Sequence, residues 1–421
     1  MSIARISPSV IEGTLTPPPS KSAAHRTLIC AALAGGGTVA GYQPSADMRA
    51  TVSALSALGL SASREELRLT LSKTAEPLTA PTVDCIESGS TLRFLIPVFA
   101  ALGIPATFIG QGRLPQRPIG VYTDLLPDHG VTCETSGGLP LRISGKLRPG
   151  TFSLPGDVSS QFISGLLFAL PLCEEDSDIH LTSPLESAGY VEMTLRCLKD
   201  AGIQIVPFEN GWHVPGHQMY ARTSFQVESD WSQAAFLLAA GALGGHVALT
   251  GLDTRSSQGD REALALFRRF GADIREENGT IHCRKAPLHG IDIDARQIPD
   301  LVPILAVTAA GAQGLTRITG AARLRLKESD RLAAVCRCLQ LLGGDVEEQP
   351  DGLLIRGGKP LHGNRVPGCN DHRMVMSMSV AALLCDTPLE VDDAQSVEKS
   401  WPAFFKDYQR IGGNVHVVNH W

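Results

Sequence analysis

The sequence predicts an α/β fold of six similar units arranged as two domains of three, and three observations carry that prediction. Six stretches that open polar and continue Ala/Leu-rich recur at one period: with Lys21, Ser90, Ser160, Ser232, Asp300 and Arg373 as markers, the steps are 69, 70, 72, 68 and 73 residues. A second, independent series of charged amphipathic segments closes on Gly59, Gly130, Gly202, Gly271, Gly343 and Gly412, with steps of 71, 72, 69, 72 and 69. Between the two series lie short β-branched or alternating runs bounded by Gly, Pro or Asp, which read as strands. A fixed period of this kind marks a unit that buries its apolar face only by packing on its neighbours. A chain of 421 residues also exceeds what one core serves, so two domains of roughly 200 residues are expected.

Taken in order, three consecutive prolines within Thr16 to Ser20 break any regular structure. SKSAAHRTLICAALAGG, DMRATVSALSALG and LRLTLS then form the first unit, and ESGSTLRFLIPVFAALG, ATFIG, PIGVYTDLLPDHG, VTCETS and LRISG the second. The third holds DVSSQFISGLLFALPL, IHLTS, YVEMTLRCLKDAG and FQVES, and a boundary follows near Val227 to Asp230. SDWSQAAFLLAAGALGG, HVALTG, GDREALALFRRFG and ADIREENGTIHC make the fourth. The fifth is IPDLVPILAVTAAGAQG, LTRITG, KESDRLAAVCRCLQLLGG and DVEEQPDGLLIRG; the sixth is NDHRMVMSMSVAALLC, LEVDD and VEKSWPAFFKDYQRIGG. First-series helices are apolar nearly all round, which puts them inside a domain, whereas second-series helices coat it. The predicted unit is two helices with three or four strands, helices within and strands outside.

Composition excludes several classes. A net charge of −6 and a pI near 6.1 offer no basic face for nucleic acid. No uninterrupted apolar stretch is long enough for a membrane span, and MSIARISPSV lacks the pattern of a secretory signal, so a cytoplasmic protein is expected. Ten scattered cysteines without a CxxC pair read as reduced core thiols. Twelve histidines show no metal-ligand spacing; neither a metal nor a cofactor is expected, and His372 is the one histidine singled out. GxxxxGK[ST], GxGxxG, GxSxG and HExxH motifs are absent.

Chemistry concentrates at the helix starts. Ser20-Lys21-Ser22, Ser88-Gly89-Ser90 and Ser159-Ser160-Gln161 place what read as exposed hydroxyls and an amide where unpaired N–H groups and a positive dipole end bind anions. Lys21, Arg26, Arg93, Arg117, Lys327, Arg331, Arg373 and Lys399 also lie at or near such starts. That density of cations implies ligands carrying phosphate and carboxylate groups, which a guanidinium recognises through paired hydrogen bonds. Asp300 and Glu328, set among these cations, are candidate proton-transfer groups.

With those residues in view, the chain resembles the 5-enolpyruvylshikimate-3-phosphate synthases, the shikimate-pathway enzymes that glyphosate inhibits. The match runs from PPPSKSAAHRTLICAAL to KSWPAFF and includes SGSTLRF, QRPIG, SSQFISGLL, PD at 299 to 300, LRLKESDRL and DHRM. The resemblance implies an inside-out α/β barrel in each domain, with buried parallel helices and outer sheets. It assigns residues 19–228 to an N-terminal domain and residues 1–18 plus 229–421 to a C-terminal one, with the active site in the cleft between them. It implies transfer of the enolpyruvyl group of phosphoenolpyruvate to the 5-hydroxyl of shikimate 3-phosphate by a monomer that closes on its substrates. Lys21, Ser22, Arg26, Ser159, Ser160, Gln161, Ser187, Asp300 and Lys327 would bind shikimate 3-phosphate; Lys21, Gly89, Arg117, Gln161, Arg331, Arg373 and Lys399 would bind phosphoenolpyruvate. Asp300 would take the hydroxyl proton, and Glu328, assisted by Lys21, would protonate the methylene carbon.

The chain departs from common family patterns at ESGST, at Arg323 and at DWSQAAF, and the fourth start, Asp230-Trp231-Ser232, receives no chemical role. The nearest rival family, the UDP-N-acetylglucosamine enolpyruvyl transferases, typically uses a cysteine in a mobile loop; the corresponding GQGRLPQRPIG contains none. A non-catalytic repeat scaffold would not need carboxylates set among cations.

Overall fold

A computed structural model describes residues 2–419. The chain forms two compact units, one of Pro19–Glu228 and one of Met1–Pro18 with Ser229–Trp421. In the first, α1 (Lys21–Leu33), α3 (Gly89–Ala101) and α5 (Ser160–Ala169) are the apolar helices, and α2 (Ala46–Ser56), α4 (Gly120–Leu125) and α6 (Ala188–Asp200) keep exposed faces. In the second, α7 (Trp231–Gly244), α9 (Val302–Gly311) and α11 (His372–Ala381) are apolar and buried, and α8 (Ala263–Phe270), α10 (Arg331–Leu341) and α12 (Phe404–Arg410) are amphipathic. A helix apolar on every side has no face to give to solvent, so burial follows from the sequence.

Each unit carries three four-stranded sheets, and all six share one wiring. An edge strand runs parallel to the second strand, which pairs antiparallel with the third, which pairs antiparallel with the fourth. In the second repeat Thr82–Asp84 lies parallel to Ala106–Ile109, followed by Leu141–Gly145 and Val131–Glu134. Parallel neighbours need a crossover, and α3 supplies it. The first repeat of each unit completes this wiring with a distant strand. Ser224–Gln226 lies parallel to Gly36–Ala40, and Ile11–Leu15 lies parallel to Gly245–Leu249. Ser2–Ser7 pairs antiparallel with both Leu389–Val391 and Asn414–Asn419.

Prolines shorten two elements relative to their sequence pattern. The segment ending at Gly130 leaves α4 for a 3-10 turn, Leu126–His129, at Pro127. VEKSWPAFF splits into a 3-10 turn, Ala394–Lys399, and α12, with Pro402 between them. Asp300 likewise sits in a one-turn 3-10 helix, Pro299–Leu301, just ahead of α9.

Each unit has its own hydrophobic core. In the first, α3 and α5 pack closely around Pro97, Tyr122 and Gly165. Pro97 lies inside α3 and has no N–H for the carbonyl of Arg93. Tyr122 Oη fills that vacancy, 2.9 Å from the Arg93 oxygen and 2.8 Å from that of Phe162. A Cβ at Gly165 would stand 2.2 Å from Tyr122 Oη and 2.3 Å from the Arg93 oxygen, so only glycine permits this approach. All ten cysteines are free thiols. Among the described residues no helix is long and apolar enough to cross a membrane.

Candidate active site

The helix starts of the Pro19–Glu228 unit assemble a cationic, amide-rich group. Ser20 and Ser88 are not exposed, as the sequence pattern suggested, but buried. Each turns back to cap its own helix: Ser20 Oγ accepts from Ala23 N at 3.3 Å and Ser88 Oγ from Thr91 N at 3.2 Å. The following residues, Ser22 and Ser90, are the partly open ones. Lys21 Nζ donates to Asp47 Oδ2 at 2.6 Å, so a carboxylate from the first turn of α2 steers the ammonium. Arg26 is buried and holds Thr194 Oγ1, the Ser22 oxygen and the Tyr190 oxygen at 2.7–2.8 Å. Burial lowers its pKa to about 10, which leaves it charged at neutral pH.

Gln161 spans two helices of the same unit. Its Nε2 donates to Ser90 Oγ at 3.0 Å, and its Oε1 accepts from Arg93 Nη1 at 2.7 Å. Arg93 also donates to the Pro118 oxygen at 2.9 Å and lies 5.0 Å over the ring of Phe162. Ser159 Oγ caps α5 at Gln161 N, 3.3 Å away, and Ser160 is buried beside it. The guanidinium of Arg117 stands over Gly89, where a Cβ would meet its Nη1 at 2.9 Å. Ser187 precedes α6 with φ 54° and ψ 42°, a left-handed conformation that residues other than glycine seldom adopt.

In the other unit, three carboxylates surround one guanidinium. Arg331, 1% exposed, donates through Nη1 to Asp300 Oδ1 at 2.9 Å and through Nη2 to Glu328 Oε2 at 2.9 Å. Its Nε donates to Asp371 Oδ2 at 2.8 Å and its Nη2 approaches Asp371 Oδ1 at 3.3 Å. Arg373 completes the group, with Nη2 3.0 Å from Asp300 Oδ2 and Nη1 3.1 Å from the Asp300 backbone oxygen. Lys327 Nζ lies 3.9 Å from Asp300 Oδ1, and Lys399 Nζ donates to the oxygen of Asn370.

Burial by itself would push the Asp300 carboxyl up. Arg373, Lys327 and Arg331 outweigh burial and the repulsion of Glu328, and hold it well below the usual carboxylate range. Burial also works against the Arg331 cation, but Asp371, Glu328 and Asp300 keep it firmly charged.

The residues singled out by sequence thus fall into two groups, Lys21, Ser22, Arg26, Gly89, Arg117, Ser159, Ser160, Gln161 and Ser187 in one unit, and Asp300, Lys327, Glu328, Arg331, Arg373 and Lys399 in the other. Sequence reading missed Asp47 and Asp371. Asp371 is fully buried and holds Arg331, Ser329 Oγ at 2.9 Å and the backbone N–H of Arg373 at 2.9 Å; it lies in the DHRM motif, next to the His372 that the sequence singles out. Among the described residues no group of three or more His, Cys, Asp or Glu side chains is arranged to hold a metal ion.

A sequence profile of EPSP synthase (3-phosphoshikimate 1-carboxyvinyltransferase) matches residues 6–408. The chain is 42% identical over 429 residues to a 3-phosphoshikimate 1-carboxyvinyltransferase of Clostridium acetobutylicum, covering 99% of each chain. It is 40% identical over 434 residues to that of Clostridium novyi, covering 99% of this chain and 98% of that one. An EPSP synthase structure from Acinetobacter baumannii superposes with a TM-score of 0.83 at 28% identity, covering 100% of both chains.

Proposed function

The chain belongs to the EPSP synthase (3-phosphoshikimate 1-carboxyvinyltransferase) family, and on that premise we propose which of its residues carry each step. The enzyme transfers the enolpyruvyl group of phosphoenolpyruvate to shikimate 3-phosphate in aromatic biosynthesis. Both substrates are multiply charged anions, which suits the cationic groups at its helix starts. Substrates of that charge do not cross membranes unaided, and we place the activity in the cytoplasm.

Lys21, Ser22, Arg26, Ser159, Ser160, Gln161, Ser187 and Lys327 bind shikimate 3-phosphate; Gly89, Arg117, Arg331, Arg373 and Lys399 bind phosphoenolpyruvate, with Lys21 and Gln161 serving both. Glu328, which takes up a proton once the anions of phosphoenolpyruvate draw Arg331 from it, gives that proton to the methylene carbon while Asp300 takes the proton of the attacking hydroxyl. A C–O bond forms at C2, giving a tetrahedral intermediate with a methyl group. In the second step the C2–O bond to phosphate breaks, phosphate leaves with the proton that Asp300 had taken, and the methyl group returns a proton to Glu328. The cations stabilise the charge that moves in both steps.

The observation that carries this reading is the placement of Asp300 and Glu328 on the same guanidinium, 2.9 Å from each. In the free protein Asp300 is a weak base, because three cations favour its charged form. Phosphoenolpyruvate supplies anions that compete for Arg331 and Arg373, and so raises the basicity of Asp300 when the proton must move. Asp300→Asn should therefore lower kcat by about 10²–10⁴-fold without raising KM for phosphoenolpyruvate, since the cations remain. Steady-state phosphate release with shikimate 3-phosphate measures both. Near-normal turnover would remove Asp300 as base, and phosphate release with UDP-N-acetylglucosamine alone as acceptor would overturn the substrate assignment.

A further inference from the structure

A file of buried polar side chains runs through the Pro19–Glu228 unit without touching the groups assigned to substrate. His25 Nδ1 lies 2.7 Å from Thr51 Oγ1, Thr51 Oγ1 lies 2.7 Å from Thr91 Oγ1, and Thr91 Oγ1 donates to Ser88 Oγ at 2.7 Å. All four residues are fully buried. They link three helices: His25 is on α1, Thr51 on α2, Thr91 on α3, and Ser88 is the cap of α3. His25 lies one turn after Lys21, and Thr51 one turn after Asp47. The His25–Thr51 contact is therefore a second rung beside the Lys21–Asp47 ion pair at 2.6 Å.

Proton counting gives the file a direction. Each hydroxyl has one proton. Thr91 donates to Ser88, so Thr51 must give its proton to Thr91 at 2.7 Å rather than to the Asp47 backbone oxygen at 3.4 Å, and His25 must donate to Thr51 from Nδ1–H. Among the described residues, His25 Nε2 is buried without a hydrogen-bond partner. With the proton on Nδ1, that orphan is a lone pair; the reverse direction would leave an N–H orphan, which is rarer in buried sites. The ring stays uncharged, since burial, Lys21 and Arg26 all disfavour the imidazolium. Ser88 Oγ, taking both the Thr91 hydroxyl and the Thr91 N–H at 3.2 Å, is pinned as the cap beneath Gly89.

We propose that His25, as the Nδ1–H tautomer, and Thr51 are positioning residues for enolpyruvyl transfer: their file fixes the start of α3, with Gly89, relative to the start of α1, with Lys21. The proposal rests on the assignment of Gly89 and Arg117 to phosphoenolpyruvate. Neither His25 nor Thr51 touches substrate; they act through the helix start that does. Their loss bears on KM for phosphoenolpyruvate, while shikimate 3-phosphate, gripped by Ser22, Ser159 and Ser160, is bound as before.

Thr51→Val replaces the central hydroxyl by a methyl group of similar shape. It should raise KM for phosphoenolpyruvate about tenfold, in keeping with the cost of sub-ångström misplacement, and leave KM for shikimate 3-phosphate within about twofold. Thr51→Ser restores the hydroxyl and the wild-type KM. His25→Asn keeps a donor at the place of Nδ1–H and stays near wild type, whereas His25→Phe behaves as Thr51→Val. Rates are taken well below the melting temperature of each variant, so that lost stability does not mimic lost affinity. ¹⁵N NMR of the intact wild-type enzyme should show His25 protonated at Nδ1 only.

An unchanged KM for phosphoenolpyruvate in folded Thr51→Val or His25→Phe overturns the positioning role, and an Nε2–H resonance for His25 overturns the direction of the file. If the substitutions abolish folding, the tautomer measured in the wild type still decides that direction. Should Gly89→Ala and Arg117→Ala both leave KM for phosphoenolpyruvate untouched, the assignment of the α3 start fails instead, and the tautomer stands.

Discussion

A Cβ on Gly89 would lie 2.9 Å from Arg117 Nη1 and 3.0 Å from Nη2. The atoms it meets are the far end of a flexible side chain, so Gly89→Ala should fold normally and displace the guanidinium. Losing one hydrogen bond to a charged group, about 1.5–3 kcal/mol, raises KM for phosphoenolpyruvate by about 10–100-fold, read from initial rates. Asp371 works at the opposite extreme of burial. Asp371→Ala leaves Arg331 buried without its carboxylate on one side and should cost about 3–5 kcal/mol in denaturant unfolding. Native Asp371 and Asp300 are held below the ordinary range, so their stabilisation is complete above the unfolded carboxylate pKa of about 3.9 and is lost as pH falls through their folded values. His25 adds an earlier slope. Its folded pKa lies well below 6.5, so below that pH the unfolded chain binds one proton more, and stability falls by about 1.4 kcal/mol per pH unit. His25→Asn should flatten that part of the profile in chemical denaturation between pH 6.5 and 5; an unchanged slope would mean that His25 is charged in the fold. Lys21, Asp300, Glu328 and Arg331 stood out in sequence because they gather with other charges at helix starts, although a cap or an ion pair explained either carboxylate equally well. Asp47 and Asp371 did not, since their significance lies in which cation they hold, and that partner is 26 residues away in one case and 40 in the other.

Helices α1, α3, α5, α7, α9 and α11 were readable as interior elements because each is apolar round its circumference. What sequence concealed is how two of them approach. Pro97 reads as a helix breaker, yet α3 continues through it to Ala101, because Tyr122, 29 residues away from Arg93, supplies the missing donor. Tyr122→Phe removes that hydroxyl while conserving the ring, which also packs edge-on against Phe162 at 4.8 Å. The Arg93 and Phe162 carbonyls then both lose the Tyr122 donor in a buried position. The expected cost is about 1–3 kcal/mol, measured as a shift in denaturant midpoint at unchanged slope. Because the Arg93 side chain holds Gln161 at 2.7 Å, a modest fall in kcat/KM should accompany it. The shortened second-series elements are the opposite case: Pro127 and Pro402 stand where their helical segments break, as their local chemistry suggests.

Why residues 1–18 fold with the C-terminal unit follows from the common wiring of the six sheets. Each needs an edge strand parallel to the one after its buried helix, and chain order would give the sheet of Gly36–Ala40 the strand Ile11–Leu15. Instead Ser224–Gln226 fills that place, and Ile11–Leu15 fills the corresponding place beside Gly245–Leu249. The repeat was visible in sequence; this exchange was not, because all candidate edge strands are short and alike. The exchange closes each unit's sheets around its own core, and the two cores should therefore respond separately to damage. Phe168 is fully buried and meets Phe94 edge-on at 5.5 Å, so Phe168→Ala should cost about 3–5 kcal/mol. Native-state hydrogen exchange should show that loss across Pro19–Glu228, with protection in the other unit changed by less than about 0.5 kcal/mol. Most residues assigned to shikimate 3-phosphate lie in the damaged unit. Added at about 100 times its dissociation constant, that substrate should return about 2.7 kcal/mol, and return it there first. Equal loss of protection in both units would show one cooperative block, and would mean that the exchanged edge strands bind the two cores into a single folding transition.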